Sequence, residues 1–282
     1  YGDHRDLHLS IRRQRQMCIR DRSYITIGMT GGFIGGFLGL GGGIIFVPFL
    51  FIVFNHFNIN VESAIQSAII TSLTCVVLSS TAALIKHQKN NLVVWNIFYK
   101  TLPGIVTGAT FGLICISLIS SEYVKIIYGL LLVLIGAYML SKRDNMSHQT
   151  IKELTHVKKT SFFIGMISSF LGVGGGTMTT PYFSYHGVDI KKCIATAAAC
   201  GFSLSFLGLI MSWFINSFLL NLSNDIFKLI VVDAVIIVAL SSMLSAYYGA
   251  ALTHAFDTRK IKLFFSYFLA KVNETSFDQP QY

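Results

Sequence analysis

Charged residues are scarce in this chain. Only 12% of its 282 residues are Asp, Glu, Lys or Arg, whereas soluble domains carry about 25%. Hydrophobic residues make up 53%, and they recur in runs of about 20 residues, the length that an α-helix needs to cross a bilayer. The composition excludes an ordinary soluble domain and predicts an all-α polytopic membrane protein in contact with lipid.

Metal-binding and nucleotide-binding patterns are also missing. The five cysteines contain no CxxC pair, and the chain has no HExxH spacing and no Walker or Rossmann glycine pattern. We therefore expect no metal, no cofactor and no disulfide framework. The net charge is +9, but no basic–aromatic motif accompanies it, so we assign the basic residues to cytoplasmic loops rather than to nucleic-acid binding.

The first 23 residues differ from the rest in their basic side chains. Residues 1–23 contain arginines but no lysine, whereas fourteen lysines follow in residues 24–282. The stretch QRQMCIRDRS also resembles translated sequencing-adapter sequence. We expect residues 1–23 to be a non-native tail, with a native basic tail as the alternative.

Two glycine clusters of the same design organise the remainder. Gly39-Leu40-Gly41-Gly42-Gly43 is followed by Pro48, and Gly172-Val173-Gly174-Gly175-Gly176 is followed at the same spacing by Pro181. Each glycine costs about 1 kcal/mol relative to alanine inside a helix, and proline is tolerated only in a first turn. Each cluster therefore predicts two short helices joined by a glycine break.

The chain repeats the same order of segments after each break. We predict a first repeat over 24–141, a cytoplasmic linker over 142–160, a second repeat over 161–270 and a polar tail over 271–282. Three apolar helices follow each break, predicted at 64–85, 97–119, 123–140, 193–215, 229–254 and about 260–270. The third segment of each unit carries small residues on one face, a pattern typical of close helix contact: Gly104, Gly108 and Gly112, then Ser241, Ser245 and Gly249.

Basic residues distinguish two topologies. If each broken segment is re-entrant, the halves are inverted and thirteen basic residues of 24–282 lie on one side against Lys125, Lys228 and Lys271 on the other. If each broken segment crosses the membrane, the halves are parallel and the split is ten to six. The positive-inside rule favours the larger asymmetry. We therefore predict two inverted repeats, each a re-entrant broken segment plus three transmembrane helices.

Inverted repeats with broken helices are typical of secondary transporters, which bind substrate near the membrane midplane. A new half-helix presents unpaired N–H groups and a positive dipole end, which favour an anion. The half-helices are expected to begin near Ile44 and Thr177. The candidate substrate-binding residues are the break glycines and nearby hydroxyls: Gly39, Gly41, Gly42, Gly43, Ser67, Thr71, Ser72, Gly172, Gly174, Gly175, Gly176, Thr177 and Thr196.

Other interpretations of the same residues stay open. The glycines could serve only close helix packing, and each hydroxyl could bond to its own helix backbone. Asp233 lies in an apolar segment, but one turn from Lys228, which favours an interfacial position. An anion channel on the same fold and an intramembrane enzyme using Asp233 are the alternative functions, although no catalytic spacing supports the enzyme.

The paired breaks, together with AIQSAIITSL, CIATAAACGF and LPGIVTGATFG, resemble the TauE/SafE sulfite-exporter family over residues 25–270. The resemblance implies a non-enzymatic secondary transporter of small anions, often sulfur oxyanions or organosulfonates, in the inner membrane of a prokaryote. A coupling proton or ion would be a further partner, and the oligomeric state stays open. In the second unit, Cys200-Gly201-Phe202 falls at the place that Thr71-Ser72-Leu73 holds in the first, which departs from the family pattern.

The inverted topology predicts opposite accessibility for two loops. We expect a cysteine at position 150 to face the cytoplasm and a cysteine at position 58 to face outside, because the basic loops stay inside. An impermeant thiol reagent applied to intact cells, in a background lacking Cys18, should label only position 58. Labelling of both positions from one side would contradict the inverted arrangement.

Overall fold

The computed structural model of the protein describes residues 3–59, 63–141, 157–215, 217 and 229–256. This part of the chain contains α-helices and no β-strand. Its helices are α1 (Asp3–Leu38), α2 (Gly43–His56), α3 (Ala64–Lys89), α4 (Trp95–Leu118), α5 (Ser121–Ser141), α6 (Val157–Phe170), α7 (Gly176–Tyr185), α8 (Ile190–Ile215) and α9 (Val232–Ala255). Most of the predicted linker, the predicted last helix and the polar tail lie outside the described residues.

Four of these helices, α3, α4, α8 and α9, are long and apolar enough to cross a membrane. The helix α2 is also apolar but has only 14 residues, which is about 21 Å of helix against a hydrocarbon core of about 30 Å. The helix α5 occupies the fourth position that the sequence predicted for the first unit. The prediction of an all-α polytopic membrane protein is confirmed.

The first broken segment folds back on itself. Residues 31 and 46 would lie about 22 Å apart along a continuous helix. Instead, a methyl group placed on Gly31 would lie 2.7 Å from Phe46 Cδ1, and one placed on Gly35 would meet the backbone of Gly42. The helix α2 therefore starts at the break and returns along α1.

Each half contributes a helix that packs on the broken segment of the other half. The helix α4 lies along α6, and α9 lies along α1. The small residues predicted on α4 and α9 face these contacts: a methyl group on Gly108 would overlap the Phe162 carbonyl oxygen, and one on Gly249 would overlap the Phe33 carbonyl oxygen. Backbone approaches this close require residues without large side chains. These contacts support the packing role predicted for small residues, which stays a prediction: Gly104, Gly108, Gly112, Ser245 and Gly249.

Contacts along the helices give their relative directions. Gln66, near the start of α3, donates from Nε2 to the carbonyls of Ile116 and Ile119 at the end of α4, at 2.9 and 2.7 Å. The helices α3 and α4 are therefore antiparallel. In contrast, α4 and α8 are parallel, because the N–H of Val94 reaches Thr196 and a methyl group on Gly208 would meet Ala109. It follows that α3 and α8, which hold the same place in the two halves, run in opposite directions.

The packing predicts different outcomes for two glycines in neighbouring helices. Gly108→Val should lower the thermal unfolding temperature sharply, because its side chain would meet the α6 backbone. Gly129→Val should leave that temperature almost unchanged, because nothing lies within 4 Å of a Cβ at this exposed position on α5. Thermal unfolding of both variants in detergent checks this, and equal losses would contradict the described contact.

Candidate functional site

The two glycine breaks lie against each other at the centre of the protein. A methyl group placed on Gly43 would overlap the carbonyl oxygen of Gly172, and one placed on Gly176 would overlap the carbonyl oxygen of Gly39. The two contacts are equivalent. In each, the glycine that begins the second half-helix of one break (Gly43 or Gly176) meets the glycine that follows the first half-helix of the other break (Gly172 or Gly39). Only glycine allows these backbones to approach so closely.

One apolar side chain contacts the middle of both breaks. Methyl groups on Gly41 and Gly174 would lie 2.8 and 2.6 Å from Val76 Cγ1 of α3. The position on α8 that faces the same glycine is Gly201, whose Cα lies 3.5 Å from a methyl group on Gly174. A single valine, supplied by one half, therefore lies against both breaks, which also approach each other directly, since a methyl group on Gly41 would lie 3.6 Å from Gly174 Cα.

Left-handed glycines start both half-helices. Gly42 and Gly175 precede α2 and α7 with φ of 86° and 77°, which L-residues with side chains adopt only at a cost of about 1–2 kcal/mol. The sequence predicted half-helix starts near Ile44 and Thr177, and the structure places them one residue earlier. This prediction is confirmed. The N–H groups of the first two residues of each helix have no helical acceptor, whereas those of Ile45 and Met178 already donate to the carbonyls of Gly42 and Gly175. Both starts are buried.

The prolines lie deeper in these helices than the sequence analysis assumed. Pro48 and Pro181 are each the sixth residue of their helix rather than first-turn residues. Since proline has no N–H, the carbonyls of Ile44 and Thr177 lose their usual helical donors. Both half-helices therefore carry the same irregularity, one turn beyond the break.

Two serines of α3 bond to the breaks. Ser72 Oγ donates to the Gly172 carbonyl at 2.8 Å, and Ser79 Oγ donates to the Gly41 carbonyl at 2.7 Å. Ser79 was not among the predicted residues. It could have been found from spacing, because Ser72, Val76 and Ser79 recur at helical intervals and share the face of α3 toward the breaks. The predicted Ser67 lies fully buried near the start of the same helix.

Two predicted threonines accept hydrogen bonds from N–H groups at the starts of helices in the opposite half. Thr71 Oγ1 accepts the N–H of Val231 at 3.1 Å, just before α9, and Thr196 Oγ1 accepts the N–H of Val94 at 3.0 Å, just before α4. These equivalent bonds match Thr71 with Thr196. The pairing of Thr71-Ser72-Leu73 with Cys200-Gly201-Phe202 made in the sequence analysis was therefore wrong by about one helical turn.

The second break carries hydroxyls that no protein group satisfies. In the described part of the chain, Thr177, Thr180 and Ser205 are at most 2% exposed, and their hydroxyl oxygens have no hydrogen-bond partner. Thr177 was among the predicted substrate-binding residues, and Ser205 was not. Ser161 and Ser168 of α6 are also buried without a hydroxyl partner, whereas Thr179 bonds to the Gly175 carbonyl of its own helix start at 3.0 Å.

The interior is electrically neutral in the described residues. The buried polar side chains there are Ser, Thr, Gln and His, and none is Lys, Arg, Asp or Glu.

Asp233 is exposed at the start of α9, where Arg20 Nη2 lies 3.3 Å from its Oδ2. The carboxylate is therefore at the end of a span, as the interfacial interpretation predicted. Arg20 belongs to the predicted non-native tail, which the structure joins to α1 without interruption.

Comparison with known proteins identifies the family of this chain. Residues 24–272 match the family described as "Sulfite exporter TauE/SafE". The chain belongs to this family. Its match begins directly after the segment 1–23, and the resemblance noted from the glycine breaks is confirmed. No solved structure matches the chain significantly.

Curated relatives are named as transporters. A "Probable membrane transporter protein" of Haemophilus influenzae is 26% identical over 253 residues, covering 88% of this chain and 94% of that protein. Relatives from Methanocaldococcus jannaschii and Xylella fastidiosa 9a5c are 26% and 34% identical, covering 64% and 60% of their own lengths. The protein is therefore an integral membrane protein of a transporter family, with a small substrate implied.

The two threonine bonds predict a structural role for those hydroxyls. Thr71→Val and Thr196→Val should each lower stability by about 1 kcal/mol, because a helix-start N–H loses its acceptor. Substrate affinity should stay within about twofold when corrected for folded protein. Thermal unfolding and ligand titration of both variants check this, and a large affinity loss at full stability would instead place these hydroxyls in the binding site.

Proposed function

We propose that the protein is a secondary transporter of a small anion, a sulfur oxyanion or an organosulfonate, bound between the two glycine breaks. The observation that carries the proposal is the burial of two half-helix starts against each other in a neutral interior. Each start presents N–H groups and the positive end of a helix dipole. An anion there would gain donors that α2 and α7 cannot satisfy internally.

We also propose that residues 24–141 and 161–270 are inverted repeats. Three observations support this arrangement. The helices α3 and α8 run in opposite directions, α2 folds back along α1, and α4 and α9 each pack on the broken segment of the other half. Inverted repeats allow a site at their interface to face either side of the membrane in turn. The proposed location is the inner membrane of a prokaryote, in keeping with bacterial and archaeal relatives.

Flux measurements separate this proposal from the two alternatives. The purified protein in liposomes should accumulate a labelled sulfonate or sulfite with saturable kinetics, and an imposed proton or ion gradient should drive the flux. Current that rises without saturation would favour a channel. Turnover of a lipid or peptide that is lost in Asp233→Asn would favour the enzyme.

A glycine substitution tests the position of the site. Gly175→Ala should reduce transport at least tenfold, about 1.4 kcal/mol, because a side chain would intrude at the start of α7 and disfavour the φ of 77°. A Cβ there meets only Leu204 Cδ1, at 3.3 Å, within 4 Å, so the fold should survive.

Gly187→Ala is the matched control for that variant. Gly187 has φ of 83° in the turn after α7, so alanine carries the same backbone strain away from the break. Transport per folded molecule should stay near wild type in this variant. Equal transport in Gly175→Ala and Gly187→Ala would refute a site at the breaks.

A further inference from the structure

We propose that the anion is held on one side only, at the start of α7, and that this site selects a singly charged oxyanion. The inference rests on the proposed function and assigns the binding donors to the second break. They are the N–H groups of Gly176 and Thr177 and the hydroxyls of Thr177 and Thr180.

The two half-helices differ at matched positions. Five and eight residues after the first glycine of each cluster, α2 carries Ile44 and Val47 where α7 carries Thr177 and Thr180. All four side chains are buried. Burying a hydroxyl without a partner is costly, and neither threonine hydroxyl has one. A bound anion would accept hydrogen bonds from these two threonines, whereas Ile44 and Val47 of α2 have no hydroxyl to offer.

The hydroxyls point toward the helix start. Side chains of a helix tilt toward its N-terminus, so Thr177, the second residue of α7, lies beside the free N–H groups of Gly176 and Thr177. Thr180 follows three residues later on the same face. Thr179, on another face, bonds to its own helix. The two unsatisfied hydroxyls therefore lie on one face at the start of α7.

The space around the two breaks is unequal as well. A methyl group on Gly42 would lie 2.7 Å from both the Gly31 carbonyl oxygen and Phe46 Cζ, so that side is filled. A methyl group on Gly175 would meet only Leu204 Cδ1 within 4 Å, although Gly175 is buried. A side chain at Gly175, beside the start of α7 with its unsatisfied hydroxyls, therefore meets fewer atoms than one at Gly42.

The donors of this site are neutral, which limits the charge of the ligand. No Lys or Arg is buried in the described residues, so N–H and O–H groups alone must replace the water around the anion. The cost of removing an ion from water grows with the square of its charge, and no buried cation offsets it here. A singly charged oxyanion therefore fits the site better than a doubly charged one.

Methanesulfonate and sulfate are suitable probes, because they share a tetrahedral head and differ in charge. We expect the purified full-length protein to bind methanesulfonate at least tenfold more tightly than sulfate in calorimetric titrations. Thr177→Val should weaken methanesulfonate binding at least tenfold, and Thr177→Ser should restore it to within about threefold. Thr179→Val, with the same chemical change on the same helix, should stay within about twofold.

Several outcomes would overturn this inference. The first is wild-type affinity for methanesulfonate in both Thr177→Val and Thr180→Val. The second is sulfate binding as tight as methanesulfonate binding, and the third is no methanesulfonate binding by the wild type. Thermal unfolding of each variant identifies losses caused by misfolding. If the threonine variants bind normally while Gly175→Ala does not, the one-sided site is wrong and the proposed site at the breaks stands.

Discussion

The rest of the structure depends on a contact between two backbones that have no side chains between them. The backbone of Gly43 contacts that of Gly172, and the backbone of Gly176 contacts that of Gly39. Backbone therefore packs on backbone in a buried region that side chains usually fill. This contact holds the starts of α2 and α7 inside the protein. The helices α4 and α9 pack on the first helices of the broken segments, α6 and α1. The N–H groups of a buried helix start need hydrogen-bond acceptors, which is why we propose this contact as the place where an anion binds.

The two halves support the breaks in different ways. The first half supplies Ser72 and Ser79, whose hydroxyls satisfy break carbonyls, and Val76, which fills the middle. The second half supplies Thr177 and Thr180, whose hydroxyls remain available. In the proposed arrangement, one half closes the centre and the other half binds the anion. In the proposed transport cycle, the inverted arrangement would expose this single site alternately.

The sequence predicted the breaks well because their signals are local. Glycine clusters and prolines act within a few residues, and the predicted starts at Ile44 and Thr177 were one residue from the observed ones. The correspondence of α3 with α8 was wrong by about one turn, because a shift of one turn keeps apolar residues on the same face. The role of Thr71 was hidden for another reason, since its partner Val231 lies 160 residues away.

The most direct test of the central claim is a cryo-electron microscopy map of the full-length protein in lipid nanodiscs with saturating methanesulfonate. The account predicts the two breaks in contact and sulfonate density within hydrogen-bonding distance of the Thr177 N–H and hydroxyl. Breaks that lie apart with no density between them, or density on the α2 side beside Ile44, would contradict it.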